Sequence, residues 1–233
     1  MSAIRRVVFT LAAAGCVALI ACSGVNKAGR EPKALTDEFI SFVRLSQPDY
    51  EPADTPEELA KQADLVVSGE ISGVERGQSY APTASSEPVI ASSVIVVRVE
   101  EVLSGDGGLV VAGTVYIELP HPAFVGSGDP GTDGEGTDQR APFDHSAFAA
   151  TVPIDSKGVF FLEDVTAPGH YWDTVIDEGA GRPQGAPLMA PFPQGFLVET
   201  QDAGLVSMME PFDSMPAGWH GLSVLTEVIE AVP

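Results

Sequence analysis

Alternation of apolar and polar residues predicts most of the strands in this chain. Leu65, Val67 and Ile71 alternate with Val66, Ser68, Glu70 and Ser72. Residues 89–103 carry the strongest strand signal, with apolar side chains on both faces at 94–97. Further strands are expected around residues 115–119 and 159–162, and a hairpin turning at Gly204 is expected within 196–209. The pattern is that of a mainly β fold.

Helical spacing is limited to three short segments. Apolar residues at i, i+4, i+7 and i+8 predict a helix at about 36–45. Thr55-Pro56-Glu57-Glu58 supplies an N-cap, a proline at the first helical position and a glutamate three residues after the cap, which predicts a helix over 55–63. A last amphipathic segment near 222–231 has Ser223 as its candidate cap.

Two stretches lack any regular pattern. Residues 123–150 are rich in Gly and Asp, and we expect a long disordered acidic loop there. Residues 166–194 combine prolines and glycines with scattered aromatics, which indicates an ordered but irregular crossing. Gly69, in the middle of a strand, is expected to mark a bulge or a tight bend.

The N-terminal residues have the layout of a secretory signal. Arg5 and Arg6 precede an apolar run over 7–21, which is shorter than the roughly 20 residues that a membrane-spanning helix needs. We therefore set residues 1–21 apart from the fold as a signal peptide. An ordinary secretory signal with a chance cysteine, or an uncleaved anchor, remains an alternative.

The end of this run, Leu19-Ile20-Ala21-Cys22, resembles the lipobox of bacterial lipoprotein signal peptides. The resemblance implies cleavage before Cys22, acylation of its thiol, and an extracytoplasmic protein held on the cell membrane by lipid. Cys16 is a competing site, but it has Ala13 three residues earlier instead of a branched residue. Two or more acyl chains anchor a protein firmly.

The composition limits the possible classes of partner and the possible domain organisation. The 233 residues include 33 acidic and 12 basic side chains, a net charge of −21, which argues against nucleic acid as a partner. Two cysteines exclude a disulfide-stapled scaffold, and 44% hydrophobic residues permit a core. Residues 22–34 are small and polar, so we expect a flexible tether there and a single domain over 35–233.

The order of the segments resembles a secreted bacterial β domain with an OB-like barrel, related in shape to netrin/TIMP modules. The segments that carry the resemblance are ADLVVSGEISGVE (63–75), SSVIVVRVEEVLSGD (92–106), GTVYIELP (113–120), GVFFLEDV (158–165) and QGFLVETQDAGLV (194–206). The resemblance implies a small antiparallel barrel with short flanking helices. Unlike netrin/TIMP modules, residues 22–233 hold a single cysteine, so their disulfides are not expected.

Candidate metal ligands are present without a metal-binding pattern. Asp129, Asp133, Glu135 and Asp138 carry the oxygen ligands that Ca²⁺ prefers, but an EF-hand alignment places Gly131 and Arg140 at two key ligand positions. The four histidines show no i, i+4 pair that would suggest zinc; they are His121, His145, His170 and His220. We therefore predict no metal and no cofactor.

Catalytic signatures are equally weak. Asp144-His145-Ser146 are contiguous, and neighbours in the chain point apart, so they do not make a triad. No nucleophile elbow or phosphate-binding loop is found. The aromatics at Tyr171-Trp172, Phe192 and Trp219-His220 either form a binding face or plug the ends of the barrel, and we favour plugging.

The sequence therefore predicts a membrane-anchored envelope lipoprotein. Its domain is expected to be a binding or scaffolding module without catalytic residues, and its ligand is not indicated. The alternative is an envelope hydrolase or metal-binding protein with a site assembled from histidines and acidic residues.

Overall fold

Strands dominate the structure, a computed structural model that describes residues 36–44, 50–83, 87–126, 140–167, 174–176, 181–200 and 204–233. These residues all belong to one compact unit, Glu31–Pro233. The strands are β1 (Leu65–Ala81), β2 (Ile90–Gly105), β3 (Thr114–Pro122), β4 (Phe124–Gly126), β5 (Arg140–Pro142), β6 (Lys157–Asp164), β7 (Thr174–Val175), β8 (Met189–Thr200) and β9 (Gly204–Ser207). The α-helices are α1 (Asp37–Arg44), α2 (Pro56–Gln62), α3 (His145–Thr151) and α4 (Leu225–Ala231).

Five of the strands close into a ring. β1 pairs with β2 and β6, β2 pairs with β3, and β6 pairs with β8, and all of these pairs are antiparallel. The ring is completed by one parallel contact between β3 and β8, where Ile117 lies opposite Met189. β7 and β9 extend the sheet beside β1 and β8.

The mainly β fold is confirmed, but a wholly antiparallel sheet is wrong. Strand directions alternate around an antiparallel ring, and an odd number of strands cannot alternate all the way round. With five strands, one neighbouring pair must run parallel, and here it is β3 and β8. The sheet is therefore mixed.

β1 is a long strand with an irregular register, and it pairs with three other strands. Its 17 residues pair with β2, β6 and β7, and the register with β2 shifts at several points, including between Ser68 and Gly69. A Cβ atom on Gly69 would lie 2.5 Å from the Arg98 carbonyl oxygen, so the strands approach too closely for a side chain. The extra residue at this shift is Glu100 of β2, so a bulge is present in the strand opposite Gly69 and not in β1 itself.

Two apolar cores lie on opposite faces of the strands. The inner core collects side chains from the ring strands, such as Ile95, Ile117 and Phe160, together with Phe39 of α1 and Phe148 of α3. The outer core lies against the other face of β1, β6 and β8 and is covered by α2, α4 and buried Trp219; its sheet residues are Val66, Val159, Phe161 and Leu197. Alternation along each strand divides the residues between the two cores.

The backbone of Ala53 is held by side chains from distant parts of the chain. Its N–H donates to Gln194 Oε1 at 2.8 Å, and its carbonyl accepts from Gln194 Nε2 at 3.1 Å and from Trp219 Nε1 at 2.9 Å. Gln194 and Trp219 are both fully buried. Because the buried amide and indole find backbone partners here, the segment before α2 is fixed to β8 and to the 3-10 turn Ala217–Trp219.

The three predicted helices are present. Thr55 caps α2 as expected, since its hydroxyl accepts from the Glu58 N–H. The C-terminal helix begins later than predicted, at Leu225, and the backbone N–H groups of Ser223 and Val224 donate to the Glu227 carboxylate. Those hydrogen bonds lower the pKa of Glu227.

The segment predicted as a loop is structured at both ends. Residues 124–126 pair with 140–142 as β4 and β5, and 145–151 form α3, which the sequence analysis did not predict. Residues 127–139, with the four candidate Ca²⁺ ligands, lie outside the described residues. The signal peptide, Cys22 and the tether also lie outside them. Within the described ranges, no helix has the length and apolar character to cross a membrane.

Candidate functional site

Two groups of polar side chains lie back to back on β2 and β3. The outer-face cluster consists of Gln78, Tyr80, Ser92 and Glu118. Glu118 is fully buried, and its oxygens accept from Tyr80 Oη at 2.8 and 2.7 Å and from Ser92 Oγ at 2.5 Å. Tyr80 Oη also lies 2.8 Å from Gln78 Oε1. Hydrogen bonds to a carboxylate offset the cost of its burial.

A bulge in β1 brings this cluster together. Arg76 pairs with Ser93 and Ser79 pairs with Ala91, so two residues of β1 stand where β2 has one. Gly77 lies in the bulge, and a Cβ atom there would lie only 2.2 Å from Ser92 Oγ. The bulge thereby lets the Ser92 hydroxyl reach both the Gln78 carbonyl, at 3.0 Å, and Glu118.

The chain itself covers the outer face of β2 and β3. Val94 is fully buried there with Val165, Leu188 and Ala190, and Tyr116 packs against them. A Cβ atom on Gly181 would lie 2.6 Å from a Val94 methyl carbon, so the chain passes directly over β2. The Glu118 carboxylate is thus a buried, hydrogen-bonded group rather than one that meets solvent.

The histidine cluster lies on the inner face and consists of Ser93, His121, Phe143, His145 and Phe148. His121 is 2% exposed and stacks on Phe143, with ring centroids 4.3 Å apart and an interplanar angle of 11°. Phe148 lies on it at 4.8 Å. No hydrogen-bond partner is placed at His121 Nε2 in the part of the chain that the structure describes.

α3 brings the second histidine to this cluster. Asp144 caps the helix by accepting from the N–H groups of Ser146 and Ala147, and His145 follows as its first residue. His145 Nδ1 lies 3.1 Å from Ser93 Oγ, and Ser93 is fully buried. The contiguous Asp144-His145-Ser146 therefore form a helix start and not a triad.

Both histidines favour the neutral imidazole. Burial, together with the nearby charge of His145, lowers the pKa of His121 from 6.5 to about 4. The pKa of His145 is also lowered, first by burial and then by Arg76, while Glu75 and Asp144 oppose the shift. Neutral imidazoles can accept a proton or a hydrogen bond, and His121 Nε2 has no described partner, whereas the Glu118 oxygens already accept hydrogen bonds from Tyr80 and Ser92.

A serine beside a histidine is the pairing that activates a nucleophile. Here, however, the Ser93 hydroxyl is fully buried beneath His145, and the Asp144 carboxylate accepts from the backbone of its own helix. A nucleophile must meet its substrate, and this hydroxyl has no exposed surface. The geometry supports a structural contact between β2 and α3.

The remaining candidate residues have structural roles where they are described. Trp219 is fully buried and Phe192 is half-buried, but both pack in the outer core and not at an end of the ring, so Trp219 forms neither an exposed binding face nor a plug. His220 Nε2 lies 2.9 Å from the Met215 carbonyl oxygen. His170, Tyr171 and Trp172 lie outside the described residues.

The sequence analysis missed the outer-face cluster altogether. Its signals were Glu118 inside an apolar strand and the pair Ser92-Ser93 at the start of the strongest strand. Successive strand residues point to opposite faces, so the two serines had to enter different environments. His121 and His145 are 24 positions apart, and sequence alone does not show which histidines converge in the fold.

Among the residues with described positions, no group of three or more His, Cys, Asp or Glu side chains is placed to hold a metal ion. Comparisons of this chain with protein-family models, with curated proteins and with solved structures found no match.

Proposed function

We propose that this protein is a lipid-anchored component of the cell envelope whose β domain is a binding or scaffolding module without catalysis. The observation that carries the proposal is the sequence Leu19-Ile20-Ala21-Cys22 after a short apolar run led by Arg5 and Arg6. Acylation at Cys22 would hold the domain at the membrane through residues 22–34.

The charge of the domain supports anchoring by lipid alone. Residues 22–233 lose Arg5 and Arg6 but no acidic residue, which leaves 10 basic against 33 acidic side chains. Anionic headgroups attract basic segments and not a surface of this sign. The domain would therefore stand away from the membrane on its tether.

We further infer that the ring is an OB-like barrel. In chain order the ring strands are β1, β2, β3, β6 and β8, and β8 inserts between β3 and β6. This is a Greek-key crossover, and the single residue pair between β3 and β8 leaves the ring only narrowly closed. Five strands in a partly open Greek-key barrel describe the OB fold.

The outer face of β2 and β3 is covered by the chain, and this affects where the barrel could bind a ligand. OB barrels commonly bind oligonucleotides and oligosaccharides on the face of their second and third strands. The corresponding face of β2 and β3 is here buried under residues 181–190, and Glu118 beneath them is hydrogen-bonded. We therefore place the binding surface elsewhere, and the acidic charge argues against oligonucleotides.

The anchor is tested by two matched cysteine variants in intact cells. We expect mass spectrometry of the native protein to find Cys22 as an acylated N-terminus. Cys22→Ser should abolish acylation and release the chain from the membrane fraction, whereas Cys16→Ser should leave both unchanged. A bare Cys22 thiol, or residues 1–21 still attached in the wild-type protein, would overturn the proposal.

The absence of catalysis is tested at the serine beside the histidine. The native protein is treated with a fluorophosphonate probe, which reacts with activated serines, and the modified residues are mapped by mass spectrometry. We expect no adduct on Ser93. An adduct that is present in wild type and lost in both Ser93→Ala and His145→Gln would favour the hydrolase alternative.

A further inference from the structure

We propose that the histidine cluster is an acid-sensitive contact that releases residues 143–152 from the ring when His121 and His145 take up protons. We name residues 143–152 the latch segment; it contains α3 and the two phenylalanines that enclose His121. The inference concerns the fold alone and does not depend on the lipid anchor.

The first argument is the environment of His121. Its ring is 2% exposed and lies against Phe143 and Phe148, and its Nε2 atom has no described hydrogen-bond partner. Protonation would place a positive charge, and an N–H donor without an acceptor, among aromatic rings. The protonated ring gains most if Phe143 and Phe148 move away and water enters.

The second argument is that the charged groups around the cluster offer little compensation. From β1, Arg76 opposes protonation of His145, and the exposed Glu75 favours it without reversing the downward shift of the His145 pKa. From α3, the Asp144 carboxylate accepts from two N–H groups of its own helix. β2 contributes Ser93, which is uncharged, and α1 contributes Phe42 and Phe39; its charged residues, Asp37, Glu38 and Arg44, are exposed.

Third, side-chain packing holds the latch segment to the ring, with Phe148 and Val152 fully buried in the inner core. α3 has seven residues, which is too short to be stable without packing. Phe148 packs on Phe39 and Phe42, and the Phe143 N–H donates to the Ala123 carbonyl at 2.9 Å. Opening would expose Phe143 and Phe148 while the strand pairs of the ring stay intact.

The linkage has a definite direction. His121 has a pKa of about 4 when the segment is closed, against 6.5 for a solvated imidazole. The closed state therefore loses stability as pH falls from 6.5 towards 4 and regains it as pH rises. The opening equilibrium constant should increase by up to about 300-fold from His121 alone, since each pKa unit corresponds to a tenfold change. Proton uptake by His145 adds to this.

Hydrogen–deuterium exchange of the full chain, purified in detergent, tests the proposal. Labelling times are scaled at each pH so that the intrinsic exchange of an unprotected amide is constant. Because half of the closed state already carries the His121 proton at pH 4, we expect this residue to make amides of the latch segment exchange about 100-fold faster at pH 4 than at pH 7, in proportion to the opening equilibrium. Amides of β6 should remain protected over the same range.

Three variants separate protonation of this cluster from general acid unfolding. In His121→Leu most of the pH dependence of the latch segment should disappear, because the buried proton-binding site is gone. His145→Gln changes a half-buried residue and should make the pH dependence shallower. His220→Gln, at an exposed histidine whose Nε2 lies 2.9 Å from the Met215 carbonyl oxygen, should behave as wild type.

Several results would overturn the proposal. One is a latch segment that stays protected at pH 4 in the wild type. Another is loss of protection in β6 at the same pH as in the latch segment. If His121→Leu does not fold, the decision rests on the wild-type profile and on His145→Gln, and an unchanged slope in His145→Gln counts against the proposal.

Discussion

The two polar clusters contain adjacent residues, Ser92 and Ser93, but they differ in how completely their buried polar atoms are hydrogen-bonded. Ser92 faces outward and donates to a buried carboxylate that also accepts from Tyr80. Ser93 faces inward and contacts His145, while the neighbouring His121 leaves Nε2 without a described partner. The outer-face cluster is a hydrogen-bonded network under a cover of chain, whereas the histidine cluster contains bases enclosed by aromatic rings.

This contrast in hydrogen bonding indicates which change, a mutation or a fall in pH, will destabilise each cluster. A buried group that is already bonded in its preferred form resists perturbation, and its removal is costly. A buried neutral base with an unpaired nitrogen destabilises the surrounding fold once it takes up a proton, because burial disfavours the charged form. Removal of a partner should therefore disrupt the outer-face cluster, and a fall in pH should disrupt the histidine cluster.

The largest effect is expected from Phe148→Ala in the histidine cluster. Phe148 is fully buried and packs against Phe39, Phe42 and His121. Its truncation should lower the free energy of unfolding by about 3–5 kcal/mol. Urea denaturation at pH 7.5 measures the loss. A change below about 1 kcal/mol would mean that α3 contributes little to the inner core.

Acidification should give the next largest effect. Because the folded pKa of His121 is about 4 and the unfolded value is 6.5, its contribution to stability is complete above pH 6.5 and is lost as pH falls to 4. The loss from this residue is about 3 kcal/mol. Urea denaturation at pH 7.5 and 4 measures it as the difference between wild type and His121→Leu. His220→Gln should show the wild-type loss.

Tyr80→Phe should have a smaller effect on the opposite face. The change removes a donor to Glu118 and leaves the buried carboxylate with fewer hydrogen bonds, which should cost about 1–3 kcal/mol at pH 7.5. A double-mutant cycle with Ser92→Ala measures the coupling through Glu118. Strictly additive losses would contradict a connected network.

The smallest effect is expected from His121→Leu at pH 7.5. At this pH the imidazole is neutral, and leucine replaces an incompletely bonded ring with an apolar side chain. The free energy of unfolding should change by less than about 1 kcal/mol. A large loss in the same denaturation experiment would indicate that His121 makes a structural hydrogen bond, and it would remove the contrast between the two clusters.

The strands and helices were predictable because they depend on local pattern. The alternation after Leu65, the cap at Thr55 and an irregularity in strand pairing at Gly69 were all predicted from neighbouring residues. α3 was not predicted, because it has one large apolar residue, Phe148, in seven and follows a Gly- and Asp-rich stretch. Its only clear local signal is the cap residue Asp144.

The candidate site was not predictable because it depends on the pairing register of the strands and on how the ring closes. The parallel contact of Ile117 with Met189 follows a long irregular crossing that has no repeating pattern. The outer-face cluster depends on a bulge at Gly77, which sets the direction in which Tyr80 points. A register shift of one residue reverses the face of every side chain, and a single sequence does not fix that register.

If the domain is attached at its N-terminal end, as we propose, the hydrogen bonds to Ala53 have a mechanical consequence. A pull on that end would reach the segment before α2 soon after α1. There Gln194 and Trp219 take the load through hydrogen bonds to one peptide backbone, shared between β8 and the turn before α4. The force would be divided between β8 and the 3-10 turn, which are distant in the chain. The ring would then be pulled at β8, and the strand pairs at the start of β1 would not be the first to separate.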